Sequence, residues 1–211
     1  MKLHLVSSIE EARDPLLPVW QSLTARLVMV VTTARLGEGR PFTLQDAQGF
    51  AAKGIAVDAC DIRDHDRKNL LYRVRKADAC ILLGGNAFVL MHALIATGFA
   101  ADLVDRAAKN PFTIIGESAG ALVFGTRIDH AASMDDPAAA PQIINRGLGW
   151  LEKPVLPHRG CLHWGYGAAV EEIIAKGGGP EQFLVIQEDG MASFDLDAHL
   201  LQGATDGARH G

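Results

Sequence analysis

The sequence has no basic field. Its 20 Lys and Arg stand against 25 Asp and Glu, a formal net charge of −5, and no stretch concentrates lysines or arginines. A nucleic-acid backbone is therefore not the expected partner. Long apolar runs are missing too: no window approaches the roughly 20 residues needed to cross a bilayer. The N-terminal "MKLHLVSSIEEARD" turns polar too soon for a signal peptide. Together these predict a cytoplasmic protein with neither a membrane nor a nucleic acid as partner. Cysteine is scarce and odd in number, with Cys60, Cys80 and Cys161 alone, so a disulfide framework is not expected. Cys60 and Cys80 sit at the edges of apolar runs and read as buried thiols. Internal repeats and low-complexity tracts are absent.

What is present suits a globular chain. The 211 residues are 48% hydrophobic with 22 glycines, enough to bury a real core in one domain spanning 1–211. Strand-like runs alternate with helix-like segments, the pattern of parallel strands joined by crossover helices. "LHLV" (3–6) and "RLVMVVTT" (26–33) read as the first two strands. "TLQDAQGFAAKG" reads as a helix capped by Thr43 and ended at Gly54, and "IAVDACDI" as the next strand. A surface helix is expected over 66–77, with Leu70, Leu71 and Val74 on one side. "ACILLGG" then forms a strand, "NAFVLMHALIATG" a helix, and "PFTIIG" another strand. Residues 127–160 show little periodicity and several prolines and glycines, and read as irregular structure over a surface. "YGAAVEEIIAKGGG" returns to helix, and "FLVIQEDGMASFDLDAHLLQG" to strands, with an antiparallel edge expected. The fold class is α/β: three layers, a doubly wound, mostly parallel sheet with helices on both faces.

Two expected strand ends, Gly84–Asn86 and Gly116–Gly120, fall on one edge of that sheet, where open α/β sheets bind ligands. The second holds "GESAG", a G-x-S-x-G turn between a strand and a helix. This is the nucleophile-elbow arrangement: the corner is too sharp for bulky neighbours, and it presents the Ser118 hydroxyl beside the amides of the following helix. The structural alternative is a helix N-cap serine in a glycine-rich turn. A nucleophilic serine needs a base and an acid to orient it. Of eight histidines, His4, His65, His92 and His130 read as structural or solvated. His158, after an apolar stretch and a proline, leads; His163 is a close rival, and His199 and His210 lie near the C-terminus. His158, Cys161 and His163 also offer soft ligands, but their spacing matches no common zinc pattern and no fourth ligand is evident, so no metal is expected.

Four segments carry a family resemblance. "ILLGGNAFVLMHAL", "IIGESAGAL", "GLGWLEKPVLPH" and "VIQEDGMASFD" occur in the order and approximate spacing of the peptidase E and cyanophycinase family, serine peptidases whose fold is similar to class I glutamine amidotransferases (flavodoxin-like). The resemblance runs from about Cys80 to about Gly203. It implies Ser118 as nucleophile, His158 as base and Glu188 as acid, with Asp189 its rival, and the amides of Gly85 and Ala119 as the oxyanion hole. It implies Asn86 and Asp135 as substrate-binding residues, a small peptide or amide as substrate, and no cofactor. Apart from the resemblance, a monomer or a homodimer is expected, and nothing in the apolar pattern separates the two. The family's preference for an acidic N-terminal residue implies a recognition arginine, for which Arg127, Arg146 and Arg159 flank the site. The sequence departs from the family in having Leu83 where many members have glycine, Glu117 before the serine, Asp135 and Asp136 in an altered segment, and "RGCLHWGYG" after the histidine. Two other readings follow from these residues: an amidotransferase-like binding domain without catalysis, and an α/β-hydrolase esterase using Asp135 or Asp136 with His199 or His210.

Overall fold

The computed structural model describes residues 1–206. A six-stranded sheet runs in the order β3 (Ala56–Cys60), β2 (Leu27–Val31), β4 (Ala79–Leu82), β5 (Thr113–Glu117), β1 (Lys2–Val6), β8 (Met191–Asp195). All neighbours are parallel except β8, which pairs antiparallel with β1, Lys2 opposite Asp195 and Val6 opposite Met191. This is the expected doubly wound α/β sheet with its antiparallel edge.

Alternation along the strands explains the layering. Leu3, Leu5, Met29, Val31, Cys80, Leu82 and Ile114 point to one face. Val6, Val28, Val30, Ala79, Ile81 and Ile115 point to the other. The first face carries α4 (Arg67–Lys76), α5 (Ala87–Thr97), α6 (Phe99–Lys109) and the single turn α7 (Ala119–Leu122). The second carries α1 (Arg13–Ser22) and α3 (Leu44–Ala51). A short α2 (Thr33–Gly37) follows β2 directly, where the sequence pattern extended the strand to residue 33. Thr43 caps α3 through a reciprocal capping box with Asp46, as its sequence predicts. No single helix among the described residues is long and apolar enough to cross a membrane.

Residues 127–160 are mostly turns and short 3-10 segments, but they end in a strand that the sequence did not predict, β6 (Val155–Arg159). It pairs in parallel with β7 (Leu184–Gln187) as a separate two-stranded sheet, packed under α8 (Tyr166–Lys176). Its register shifts between Leu156 and Arg159. The remaining helix, α9 (Ala198–Asp206), packs against α6.

Candidate active site

At the carboxyl end of β5 the chain turns within one residue from strand to helix. Ser118 occupies the corner at φ 51° and ψ −110°, a conformation L-residues rarely adopt. The corner is held by backbone bonds on both sides: the Ser118 N–H donates to Val6 of β1, and its carbonyl accepts from Ala121 and Leu122. Its tightness explains the flanking glycines. A Cβ on Gly116 would lie 2.4 Å from the Gly120 carbonyl oxygen, and one on Gly120 only 2.0 Å from that of Leu82. The helix that follows has four residues, too short for much of a macrodipole, so any positive potential comes from individual amides rather than from a helix end.

His158 reaches the serine from the small sheet. It lies at the register shift in β6 with φ 72°, and this local bulge turns its ring away from the ladder. The Ser118 hydroxyl lies 2.8 Å from His158 Nε2, and Nδ1 lies 2.8 Å from Glu188 Oε2, just past the end of β7. A carboxylate can only accept, so the Nδ1 proton faces Glu188 and Nε2 is left to accept from the serine hydroxyl. The base is thus paired with Ser118, and His163, its sequence rival, is not. The His158 side chain is 8% exposed and that of Glu188 19%. The Tyr166 ring packs 5.0 Å from the imidazole, closing its far side.

Ser118, His158 and Glu188 open onto a cavity of about 1060 Å³. Its walls include Gly84 and Gly85 from the turn after β4, Trp20, Phe42 and Phe50, and the cations Arg35, Arg40 and Lys53. Gly85 has φ 134°, and a Cβ there would lie 2.3 Å from the backbone of Ala34. Only glycine lets this turn come so close. Among the described residues, the N–H groups of Gly85 and Ala119 have no protein acceptor.

This arrangement of a serine on a strained corner, bonded through an imidazole to a carboxylate, coincides with a match of residues 2–190 to the model of peptidase family S51. The chain belongs to peptidase family S51. It is a serine-type peptidase by that membership. The family S51 chain is 28% identical over 159 residues to an uncharacterized peptidase of Pasteurella multocida, covering 74% of this chain and 76% of that one. An uncharacterized peptidase of Listeria innocua is 30% identical over 159 residues, covering 74% and 75%. A crystal structure of a protein provisionally assigned as a peptidase E from Listeria monocytogenes superposes with a TM-score of 0.74 at 21% identity, covering 93% of this chain and 98% of that one. At that identity the likeness speaks to the fold.

The side chain next to the serine in this S51 chain lines the same cavity, and its carboxylate is bonded to backbone amides. Glu117 Oε1 accepts from the Ile9 N–H at 3.0 Å and Oε2 from the Gly84 N–H at 3.1 Å, with Arg35 at 3.8 Å. Its charge is absorbed in tying the ends of β1, β4 and β5 together. Asn86 and Asp135, expected to bind substrate, do not line the cavity. Asn86 caps α5 through the Val89 N–H and donates to the Asp136 carbonyl, and Asp135 accepts from the Ala87 N–H. Both are at least nine-tenths buried, and their polar atoms fix the turn that carries Gly85. Burial pushes the Asp135 carboxyl up to about 7.

None of the three arginines considered for recognition lines the cavity: Arg127 pairs with Asp129 and Arg159 with Glu171, while Arg146 bridges to Arg127 through backbone. Among the esterase residues, His199 is the second residue of α9, its amide bonded to Asp197, and it takes no part in the Ser118 chain; His210 lies outside the described residues. One residue of the site carried no sequence signal. Ser7, 1% exposed at the end of β1, accepts from the His158 N–H at 2.8 Å and donates to the Gln187 carbonyl at 2.9 Å. A single hydroxyl thus ties the backbones that carry the imidazole and the carboxylate.

Proposed function

We propose that this S51 peptidase hydrolyses short peptides with a Ser118, His158, Glu188 triad on a nucleophile elbow. The observation that carries the reading is the unbroken pair of 2.8 Å hydrogen bonds from hydroxyl through imidazole to carboxylate, opening on a cavity. His158 takes the Ser118 proton as the oxygen attacks the scissile carbonyl, and Glu188 holds the imidazole in the tautomer that leaves Nε2 free and stabilises the imidazolium. The developing oxyanion sits between the amides of Gly85 and Ala119. His158 then gives its proton to the leaving amine, and a water attacks the acyl-serine by the same route. No metal or organic cofactor enters any step.

The cavity supports a small substrate, since its volume matches sites that engulf a short ligand rather than a folded chain. A preference for an acidic N-terminal residue is the finer reading. Lys53 is the cation that favours it, because Arg35 is already paired with Asp46 at 3.0 Å and Arg40 with Glu38 at 3.0 Å. The non-catalytic reading rests on Glu117 and on the altered loops, and the bonds of Glu117 to Ile9 and Gly84 remove the first of these. The test is hydrolysis of a dipeptide panel by wild type and Ser118→Ala, with folding checked by circular dichroism. Cleavage by wild type alone is expected, fastest for Asp-X and Glu-X. Equal hydrolysis by both proteins, or by neither, would overturn the reading.

A further inference from the structure

Cys161 stands beside the catalytic pair and is used by no step of the proposed hydrolysis. It follows β6 by two residues, across the Gly160 turn at φ 80°, and is 6% exposed. Its Sγ, a ring nitrogen of His158 and a carboxylate oxygen of Glu188 all lie within 4.8 Å of one another. Around a tetrahedral zinc with ligand bonds of about 2.0–2.3 Å, such donors sit roughly 3.3–3.6 Å apart. The cluster is therefore about an ångström too open on its longest edge and slightly too tight between His158 and Glu188, adjustments within reach of a glycine-hinged cysteine and a glutamate rotamer. The site His158, Cys161 and Glu188 differs from the set His158, Cys161 and His163 that the sequence offers and whose spacing argues against a metal, because the fold supplies Glu188 from the turn after β7 in place of His163.

We propose that His158, Cys161 and Glu188 form an inhibitory site for a soft divalent cation, zinc above all, with solvent as fourth ligand. Thiolate and imidazole select zinc over magnesium or calcium, which demand oxygen ligands. Metal binding inverts the triad. Zinc takes the Nδ1 lone pair, so the imidazole proton moves to Nε2 and faces the Ser118 hydroxyl as a donor, where the mechanism needs an acceptor. The thiol loses its proton to solvent as the Zn–S bond forms. The +2 charge of the ion is then balanced by thiolate and carboxylate, with the imidazole neutral. The serine keeps its proton, and the peptidase is silent until the metal is withdrawn.

The inhibitory consequence rests on the proposed triad, whereas the binding does not, and the experiment separates them. Cobalt(II) is titrated into wild type, Ser118→Ala, Cys161→Ala and His158→Ala, reading the near-ultraviolet thiolate-to-cobalt band. All three cysteines are buried, so loss of the band in Cys161→Ala is what assigns it to Cys161 rather than to Cys60 or Cys80. Wild type and Ser118→Ala should show it, displaceable by zinc, and the other two variants should not. In parallel, zinc should slow fluorophosphonate labelling of wild type, reversibly with a chelator, and Cys161→Ala should need at least tenfold more zinc. Absence of the band from folded wild type overturns the site. Inhibition of Cys161→Ala at the same zinc concentration as wild type overturns the role of the thiol. A cobalt band on a wild type that no fluorophosphonate labels would keep the site and sink the hydrolase reading instead.

Discussion

Glu117→Ala separates two accounts of the acidic residue beside the nucleophile. If its charge burdened the serine, removing it would speed the chemistry. The structure predicts the reverse, because the carboxylate holds two backbone amides that no other group reaches. Gly84 is buried, so its N–H loses its partner without full access to water, a cost of about 2 kcal/mol; the half-buried Ile9 N–H costs about 1 kcal/mol. Arg35 keeps Asp46, so no buried cation is orphaned. The sum, about 3 kcal/mol, corresponds to a melting temperature lowered by roughly 6–12 °C for a chain of this length. The turn carrying Gly85 also loosens, and labelling of Ser118 by a fluorophosphonate should slow about tenfold, short of the loss on deleting an oxyanion donor outright. Thermal denaturation and intact-mass labelling measure the two effects on one sample. A variant that melts within 2 °C of wild type, or that labels faster, would refute the reasoning.

Ser7→Ala removes the hydroxyl that ties His158 to Gln187. It should cost about 1–2 kcal/mol by denaturant titration and lower kcat more than it raises KM, while Ser7→Thr restores part of both. Gly120→Ala places a Cβ 2.0 Å from the Leu82 carbonyl and should yield little folded protein, read by expression and circular dichroism. Asp135 gives a pH dependence. Its folded carboxyl titrates at about 7 against 3.8 unfolded, so the folded state holds the extra proton, and stability falls as pH rises through that window. The loss has a ceiling of about 4 kcal/mol, complete above pH 7 and absent below pH 4. Asp135→Asn keeps an acceptor for Ala87 and should flatten the profile; an unchanged slope of melting temperature against pH would contradict the assignment.

Much of the fold was legible because its strands obey a period of two and its main helices carry capped apolar stripes. The sheet, its antiparallel edge and α3 to α5 follow from that. Helix α1 did not stand out because Pro15 and Pro18 interrupt it, although Leu16, Val19, Trp20 and Leu23 hold the i, i+3, i+4, i+7 spacing. Strand β6 was hidden by Pro154 and Pro157 and by its bulge, which only pairing with β7 across an intervening helix makes visible. The triad could be named from local motifs, since Ser118, His158 and Glu188 each sit in a quotable segment. What holds them could not. Ser7 reaches His158 across 151 residues and Glu117 reaches Ile9 across 108, so no window of sequence contains both partners. Asn86 and Asp135 look like free polar groups in a sequence and prove to be the cap and brace of a buried turn.

The central claim is that Ser118 is activated by His158 and Glu188. Intact-mass labelling with a fluorophosphonate, comparing wild type with Ser118→Ala, His158→Ala and Glu188→Gln, tests it most directly. The account predicts one adduct on wild type, none on Ser118→Ala, a rate lower by about a thousandfold or more for His158→Ala, and a smaller but clear loss for Glu188→Gln. A folded wild type that takes no adduct, or one that His158→Ala leaves unchanged, would contradict it.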